Sequence, residues 1–190
     1  MDILHLMTFE QFCNSETKSR LIKFFIYNGA QFYHIKDIAG QLGVKARSIR
    51  GDLLKLLDAG FLKSRSAHFS VNYKFPYFSE LKELVLKFPA VSDETIVKEA
   101  QKVGAVKLMI VAGVFLNSPK SRADLLLVGD KISEKKFARF LRSIESSVGK
   151  ELHYVLMNTH EFKYRREMFD RFVLDVLEFP HRKLINKLKI

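Results

Sequence analysis

The chain has 190 residues, of which 47% are hydrophobic and 28% are charged, a balance that is typical of a folded globular protein and excludes a disordered one. Its formal net charge of +11 favours a polyanionic partner, such as DNA, RNA or an anionic surface. The sequence has no apolar run of the roughly 18 residues that a membrane span needs and no basic signal-peptide region at its start, so we expect a cytoplasmic protein without a membrane partner.

The chain begins with an apolar, aromatic-rich segment, residues 1–14, which we expect to pack on the first domain or on a partner subunit. Its lone cysteine, Cys13, cannot form an internal disulfide, and core filling is its expected role. Ser15 is a good N-cap for a strongly apolar helix that Asn28-Gly29 ends. Residues 31–34 are a candidate for a short strand that pairs with a later hairpin.

Two helical patterns separated by a glycine come next, followed by two β-prone runs. Residues 35–42 place apolar side chains on one helical face, and Gly43 ends that pattern. The second pattern ends at Gly60, and the runs 61–65 and 69–73 follow it. A helix, a tight turn, a second helix and a basic hairpin are the order of a helix-turn-helix motif with a wing.

Polar and basic side chains lie off the apolar face of the second helix, near its N-terminal end, where they would meet base edges and phosphates in a major groove. Further cations lie on the predicted wing and just after it. Gly51 on the same helix either permits a close approach of DNA or has no role. The alternative is an ordinary solvated basic surface of an all-α domain. The predicted DNA-contacting residues are Lys45, Arg47, Ser48, Arg50, Lys63, Arg65, His68 and Lys74.

The stretch DLLKLLDAGFLKSR resembles the end of the recognition helix and the start of the wing in prokaryotic winged-helix transcription regulators. This resemblance implies a regulator that binds double-stranded DNA as a homodimer. The next helix, with Ser79 as its predicted cap and Pro89 at its end, has an apolar stripe that faces either a second subunit or the intramolecular core. The best domain boundary is 89–92, so we assign residues 1–89 to the DNA-binding domain.

The second half alternates helical patterns with apolar runs typical of buried strands. Its predicted elements indicate an α+β or α/β unit with at least three strands, and for the whole chain we expect an α+β fold. The elements are a helix capped by Ser92 and ending near Lys102, strands at Val106–Ala112 and Ala123–Val128, a helix capped by Ser133, a strand at Leu152–Met157 and a last helix from Thr159.

The run KLMIVAGVFLNSPKSRADLLLVGD resembles the signature of the minimal nucleotidyltransferase family of the polymerase β superfamily. That signature is a strand, a Gly-Ser pair, a loop or helix, and Asp-hydrophobic-Asp on the next strand. In the family, the Gly-Ser pair holds nucleotide phosphates and the acidic residues hold divalent metals. The resemblance covers about residues 95–190 and implies a small mixed-sheet, nucleotidyltransferase-like domain over residues 92–190.

Most of the residues that carry the family's chemistry are replaced. Gly113 matches the signature, but Val114 stands where the serine would be and Arg122 occupies the first acidic position. Asp124 matches the second acidic position, and His153 is nearest to the third. Because two-metal phosphoryl transfer needs clustered carboxylates, we expect no catalytic residue, no metal and no cofactor. The vestigial nucleotide site consists of Gly113, Lys120, Arg122 and Asp124, and its two cations either bind a small phosphate-bearing ligand without reaction or are plain surface residues.

We therefore expect a DNA-binding transcription regulator that is not an enzyme. Its second domain would serve as a ligand sensor, a dimerisation surface or a docking platform. Two alternatives stay open from the sequence: an active nucleotidyltransferase that transfers a nucleoside monophosphate, and an antitoxin that pairs with a toxin of an all-helical family.

Overall fold

The computed structural model describes Cys13 and residues 15–89, 91–118 and 120–190, so the predicted packing of residues 1–12 and 14 lies outside the described residues. The protein combines helices with two small sheets, which confirms the α+β class. The chain divides into two compact units, one made of the chain up to residue 90 with Ser143–Glu151, the other of Val91–Arg142 with Leu152–Ile190. None of the described helices is long and apolar enough to cross a membrane.

The first unit places its helices and strands in the order expected from the sequence. Its helices are α1 (Glu16–Asn28), α2 (Ile35–Gln41), α3 (Ala46–Asp58) and α4 (Phe78–Lys87). Its strands are β1 (Tyr33–His34), β2 (Leu62–Arg65) and β3 (His68–Val71). They form an antiparallel sheet in the order β1-β3-β2, in which Phe69 of β3 faces Tyr33 on one side and Ser64 on the other.

Most of the predicted helix ends in this unit are confirmed. The Ser15 side chain accepts a hydrogen bond from the Lys18 N–H at 3.2 Å, as an N-cap does. Gly43 and Gly60 have φ angles of 63° and 80°, so each follows its helix in the left-handed region that glycine adopts without strain. The predicted cap at Ser79 is wrong, because α4 begins two residues earlier than that cap implies, with Tyr77 at the N-cap position.

The core of the first unit is built from apolar side chains of α1, α2, α3 and the sheet. On α3 the buried residues are Ile49, Leu53 and Leu56, a spacing that places them on one helical face. The opposite face of α3 therefore points to solvent. The apolar stripe of α4 packs on the same core through Val85, so of the two predicted roles for this stripe the structure has the intramolecular one. Cys13 is partly buried against this core, in line with its predicted core-filling role.

The segment Ser143–Glu151 completes the first unit from a distant part of the sequence. The Arg20 Nε donates a hydrogen bond to the Ser146 carbonyl oxygen at 3.0 Å, and the Asn28 Nδ2 donates to that of Gly149 at 2.6 Å. Gly149 has φ +80°, and a Cβ there would lie 2.9 Å from the Phe24 backbone nitrogen. The sequence carried no signal for this packing.

The second unit contains the remaining elements, joined to a second sheet in the order β6-β5-β4-β7. Strands β5 and β6 are parallel, whereas β4 is antiparallel to both of its neighbours. The elements are α5 (Asp93–Ala100), β4 (Ala105–Val111), a 3-10 turn (Gly113–Leu116), β5 (Leu125–Asp130), α6 (Glu134–Val148, shared with the first unit), β6 (Tyr154–Met157), α7 (Thr159–Glu167), α8 (Arg171–Glu178) and β7 (Arg182–Asn186).

Two features of this unit differ from the expectation. The single last helix predicted from Thr159 is two helices, α7 and α8, because Phe169 takes a left-handed φ of 53° and Asp170 caps the new helix by accepting the Val173 N–H at 3.0 Å. Strand β7 was not predicted, since only Ile185 in it is buried and its polar ends give no clear alternation. It lies at the edge of the sheet, next to the central, buried β4.

Candidate nucleic-acid interface

The outward face of α3 carries two arginines and one leucine. Arg47 and Arg50 are exposed, and Leu54 keeps 45% of its surface exposed. Their spacing of three and four residues places them on one face of the helix, away from the buried Leu53. Leu54 was not among the predicted DNA contacts, which were all polar or basic residues; its position off the apolar face of the helix was the available signal.

The N-terminal end of α3 is polar and open. Lys45 occupies the N-cap position with its side chain exposed. The Ser48 hydroxyl donates to the Lys45 carbonyl oxygen at 2.7 Å, so its proton is committed locally and its oxygen can only accept a further hydrogen bond. No atom of the described residues comes within 4 Å of the place where a Cβ on Gly51 would lie. A partner can therefore approach the backbone of this helix closely.

The wing cations lie against an aromatic ring that the sequence analysis did not single out. Lys63 and Arg65 are two residues apart on β2, so their side chains leave the same side of the strand. The Lys63 Nζ lies 5.4 Å and the Arg65 Cζ 5.1 Å from the centroid of the Phe32 ring. These distances are within the range of cation–π attraction, which holds both charges near one place. Phe32 directly precedes β1 and lies within the predicted strand 31–34, but no pattern in the sequence marked it as the neighbour of these cations.

His68 lies on the wing strand beside a second histidine. It pairs across the sheet with Arg65 on one side and with His34 on the other, and the two imidazole rings are 5.1 Å apart. The His34 Nδ1 accepts the Lys36 N–H at 3.2 Å, so this ring caps α2. The Ala67 carbonyl at the wing tip also accepts the Ile35 N–H, at 3.2 Å. These bonds fix the wing against the start of α2.

Lys74 lies near the opposite end of α3 from Lys45. It follows β3, and its N–H donates to the Asn72 Oδ1 at 3.1 Å, while the Asn72 Nδ2 donates to the Gly60 carbonyl at 2.8 Å. These contacts place it beside the C-terminal end of α3, whereas Lys45 stands at the other end of a helix about 20 Å long.

The predicted DNA-contacting cations share one electrostatic property. Among the residues that the structure describes, they form no ion pair, whereas Lys55 on the same helix lies 3.9 Å from the Asp52 carboxylate. Their charge is therefore not neutralised by the described residues and is available to an anionic ligand. The cations are Lys45, Arg47, Arg50, Lys63, Arg65 and Lys74.

In the second unit, Gly113 and Asp124 meet. The Asp124 carboxylate is buried, its Oδ1 accepts the Val114 N–H at 2.7 Å, and its Oδ2 accepts the His153 N–H at 2.9 Å. A Cβ on Gly113 would overlap Oδ1, so only glycine fits there. Because each carboxylate oxygen accepts a backbone N–H from a different loop, Asp124 ties the two loops together.

Arg122 has a carboxylate partner that the sequence analysis did not identify. Its Nε lies 2.5 Å from the Oδ2 of Asp175 on α8, and the Nε of Arg171 lies 2.9 Å from the Oδ1. Asp175 is only 2% exposed. An acidic residue among the apolar side chains of α8 was the available signal. Lys120, the other predicted cation of this site, is exposed.

Within the described residues, no three His, Cys, Asp or Glu side chains come together in a way that could hold a metal ion. Comparison of the chain with models of protein families, with curated proteins and with solved structures finds no match.

Proposed function

We propose that the first unit is a winged-helix DNA-binding domain and that the protein is a DNA-binding transcription regulator. The observation that carries this proposal is the set of exposed, unneutralised cations on the N-terminal end of α3 and on β2. The element order α1-β1-α2-α3-β2-β3 and the sheet order β1-β3-β2 support it, since a helix-turn-helix followed by a hairpin is arranged in this way.

In this proposal α3 enters the major groove by its N-terminal half. Arg47 and Arg50 contact base edges and phosphates. An arginine that donates two hydrogen bonds to the O6 and N7 of a guanine discriminates against the other bases. Leu54, farther along the same face, offers an apolar contact to a thymine methyl group. The open surface at Gly51 lets the helix backbone come near the duplex.

The wing supplies phosphate contacts beside the groove. Lys63 and Arg65, placed by the Phe32 ring, bind the flanking backbone together with His68. Lys74 adds a phosphate contact farther along, since it lies beside the other end of α3. We infer that two copies bind together, because a homodimer presents two recognition helices to half-sites about one helical turn apart.

The second unit, in this proposal, is nucleotidyltransferase-like and not catalytic. The antiparallel pair β4–β5 with β6 parallel to β5 supports the likeness, as does the packing of Gly113 on Asp124. The hydrogen bonds that engage both Asp124 oxygens, and the Arg122–Asp175 pair, support the absence of phosphoryl transfer. A small phosphate-bearing ligand remains part of the proposal for this unit.

The first prediction separates base contacts from phosphate contacts. A site is first selected from genomic fragments that bind the protein, and binding to this site and to a random duplex is then measured over a range of salt concentrations. We expect Arg47→Ala to weaken binding to the selected site by about 1–3 kcal/mol, with a smaller loss on the random duplex. Lys63→Ala should weaken both similarly and lower the salt slope by about 1, because it loses one phosphate contact.

The matched control is Lys82→Ala, which removes an equally exposed cation from α4 in the same unit. It should leave both affinities and the salt slope unchanged. Equal losses of affinity in Lys82→Ala and Lys63→Ala would mean that the effect of Lys63 comes from the overall charge of the protein and not from a specific phosphate contact. Failure to enrich any genomic fragment, together with normal folding, would contradict the proposed function itself.

A further inference from the structure

Strand β6 has a free edge in the second sheet. Among the described strands it pairs only with β5, which runs parallel to it. The His153 carbonyl oxygen accepts the Leu125 N–H at 3.2 Å, so the backbone groups of His153 point towards β5. Because the backbone groups of successive residues in a strand point to alternate sides, those of Tyr154 and Leu156 point to the free edge. No described residue forms a hydrogen bond with them there.

The two edge strands of this sheet differ in their side chains. Proteins prevent edge-to-edge pairing with charged side chains on the edge strand, especially lysine. Strand β7, at the opposite edge, carries the exposed Arg182 and Lys183. Strand β6 has the sequence YVLM, which carries no charge, and its Tyr154 keeps 45% of its surface exposed. The edge at β6 is therefore the one that can accept a further strand.

An apolar groove lies between β6 and α6. It has a volume of about 410 Å³, and Tyr154 and Leu156 line it from the strand. These two residues are two apart in β6, so their side chains leave the same face of the sheet. The Phe137 ring, on α6, lies 5.2 Å from the Tyr154 ring. A strand added to the edge of β6 would place alternate side chains against this groove.

The α6 side of the groove is self-complementary about its centre. Glu134 and Arg142, both exposed, line it about 12 Å apart along the helix axis, and Ala138 lies midway between them. Neither charge has an ion-pair partner among the described residues. A two-fold axis through the centre would bring the Glu134 end of one copy to the Arg142 end of another, with the small Ala138 side chains between them.

We propose that β6 and α6 form the interface of a homodimer in which the β6 strands of two copies pair antiparallel about a two-fold axis. In the register that uses both outward residues, Tyr154 of each copy exchanges its backbone hydrogen bonds with Leu156 of the other. Val155 then lies opposite Val155, and the two sheets become one. This inference goes beyond the proposed function, which brings two copies together on DNA, because this dimer forms without DNA.

The first test is sedimentation equilibrium of the full-length protein without DNA. We expect wild type to dimerise, and Glu134→Lys and Arg142→Glu each to weaken dimerisation about tenfold or more, because like charges then meet twice in each dimer. The two variants change the net charge in opposite directions, so overall charge cannot explain a loss in both. The double variant Glu134→Lys/Arg142→Glu exchanges the charges and should restore the dimer. Circular dichroism checks that each variant is folded.

The control is Lys136→Glu, since Lys136 is exposed on the same helix but lies about 200° around its axis from Glu134. It should leave dimerisation unchanged. Equal weakening in Lys136→Glu, or dimerisation of both single variants as in wild type, would overturn the proposal. A monomeric wild type would also overturn it and leave this edge to a segment of another protein. The proposed DNA contacts, which lie in the first unit, would be unaffected.

The second test probes the register by mild oxidation of two cysteine variants. In the proposed dimer the two Val155 Cα atoms lie about 4.5 Å apart, within the range of a disulfide, whereas the two Tyr154 Cα atoms lie more than about 7 Å apart. Val155→Cys should therefore form a covalent dimer and Tyr154→Cys should not. Wild type, which contains Cys13, gives the background. Equal cross-linking of the two variants, or none above background in Val155→Cys, would contradict the pairing.

Discussion

Asp130 joins three elements of the second unit through a single carboxylate. The Lys107 Nζ on β4 lies 2.7 Å from its Oδ2. At the start of α7 the Thr159 N–H donates to its Oδ1 at 3.0 Å and the Thr159 hydroxyl donates to its Oδ2 at 2.8 Å. The hydrogen bond from Lys107, followed by those from Thr159, lowers the pKa of Asp130 from 3.8 to about 2. The ionised carboxylate is therefore favoured by folding.

This pKa shift predicts a pH dependence of stability. Because the folded-state pKa is lowered, the contribution of Asp130 is fully present above pH 4 and is lost as the pH falls towards 2. We expect Asp130→Asn to lower the urea midpoint at pH 7, and the difference from wild type to shrink between pH 4 and pH 2. Urea unfolding followed by circular dichroism at pH 7, 4 and 2.5 measures this.

Glu83→Gln is the control for Asp130→Asn, since Glu83 is an exposed carboxylate on α4. It should leave the midpoint nearly unchanged at every pH. If the difference in urea midpoint between Asp130→Asn and wild type stayed constant down to pH 2.5, the ionised carboxylate of Asp130 would not be the source of the stabilisation.

Single residues of the candidate sites could be predicted where a local pattern marks them. The outward cations of α3 follow from helical periodicity, and Asp124 follows from the motif that also contains Gly113. The partner of Arg122 does not follow, because an ion pair between Arg122 and Asp175 depends on how α8 packs on the sheet. Phe32 was missed for the same reason, since its place under the wing cations is set by strand pairing.

At the scale of elements, helix ends with a defined cap were the most predictable feature. Ser92 caps α5 by accepting the Thr95 N–H, as its position before two acidic residues indicates, although α5 ends at Ala100 and so before Lys102. The break between α7 and α8 was not predictable. It occurs at Phe169, which has a left-handed conformation that is unfavourable for a bulky residue and is therefore not expected from the sequence.

Two glycines in helical regions of the sequence give opposite predictions. Gly51 lies inside α3 with open space around it, so Gly51→Ala should raise the free energy of unfolding by about 1 kcal/mol through helix propensity. Gly149 has φ +80°, and a Cβ at this position would lie 2.9 Å from the Phe24 backbone. Gly149→Ala should therefore lower the free energy of unfolding by about 2 kcal/mol or more. Urea unfolding of the two variants measures both changes.

Each glycine variant serves as the other's control, because both make the same chemical change. If Gly149→Ala left stability unchanged, the close packing of that segment on α1 would be contradicted. The Gly51→Ala variant also tests the proposed interface, since it should weaken DNA binding while it stabilises the fold.

At the scale of the whole molecule, the first unit is discontinuous in sequence. Ser143–Glu151 belongs to it, and this segment receives hydrogen bonds from Arg20 and Asn28 of α1. Periodicity and caps indicate elements, but they do not indicate which distant segment packs on which helix. The predicted division at 89–92 follows from Pro89, which ends the preceding helical pattern, and a helix end does not indicate long-range packing.

This discontinuity predicts the behaviour of a fragment. Residues 1–90 alone lack the partners of Arg20 and Asn28, and a typical hydrogen bond contributes about 0.5–1.5 kcal/mol. We expect the fragment to melt roughly 5–15 °C below the first unit in the full-length chain. Thermal melting of the two proteins, with residue-specific NMR signals of α1 as the probe, measures the difference. Equal melting temperatures would contradict the contribution of Ser143–Glu151.

The same discontinuity sets an order of events during translation. Synthesis proceeds at roughly 5–20 residues per second, so about 3–12 s pass between the addition of residue 90 and that of residue 151. During that interval the nascent α1 lacks the segment that accepts the hydrogen bonds of Arg20 and Asn28. A product of synthesis that stops before residue 143 therefore carries the cationic helix α3 on an incomplete first unit.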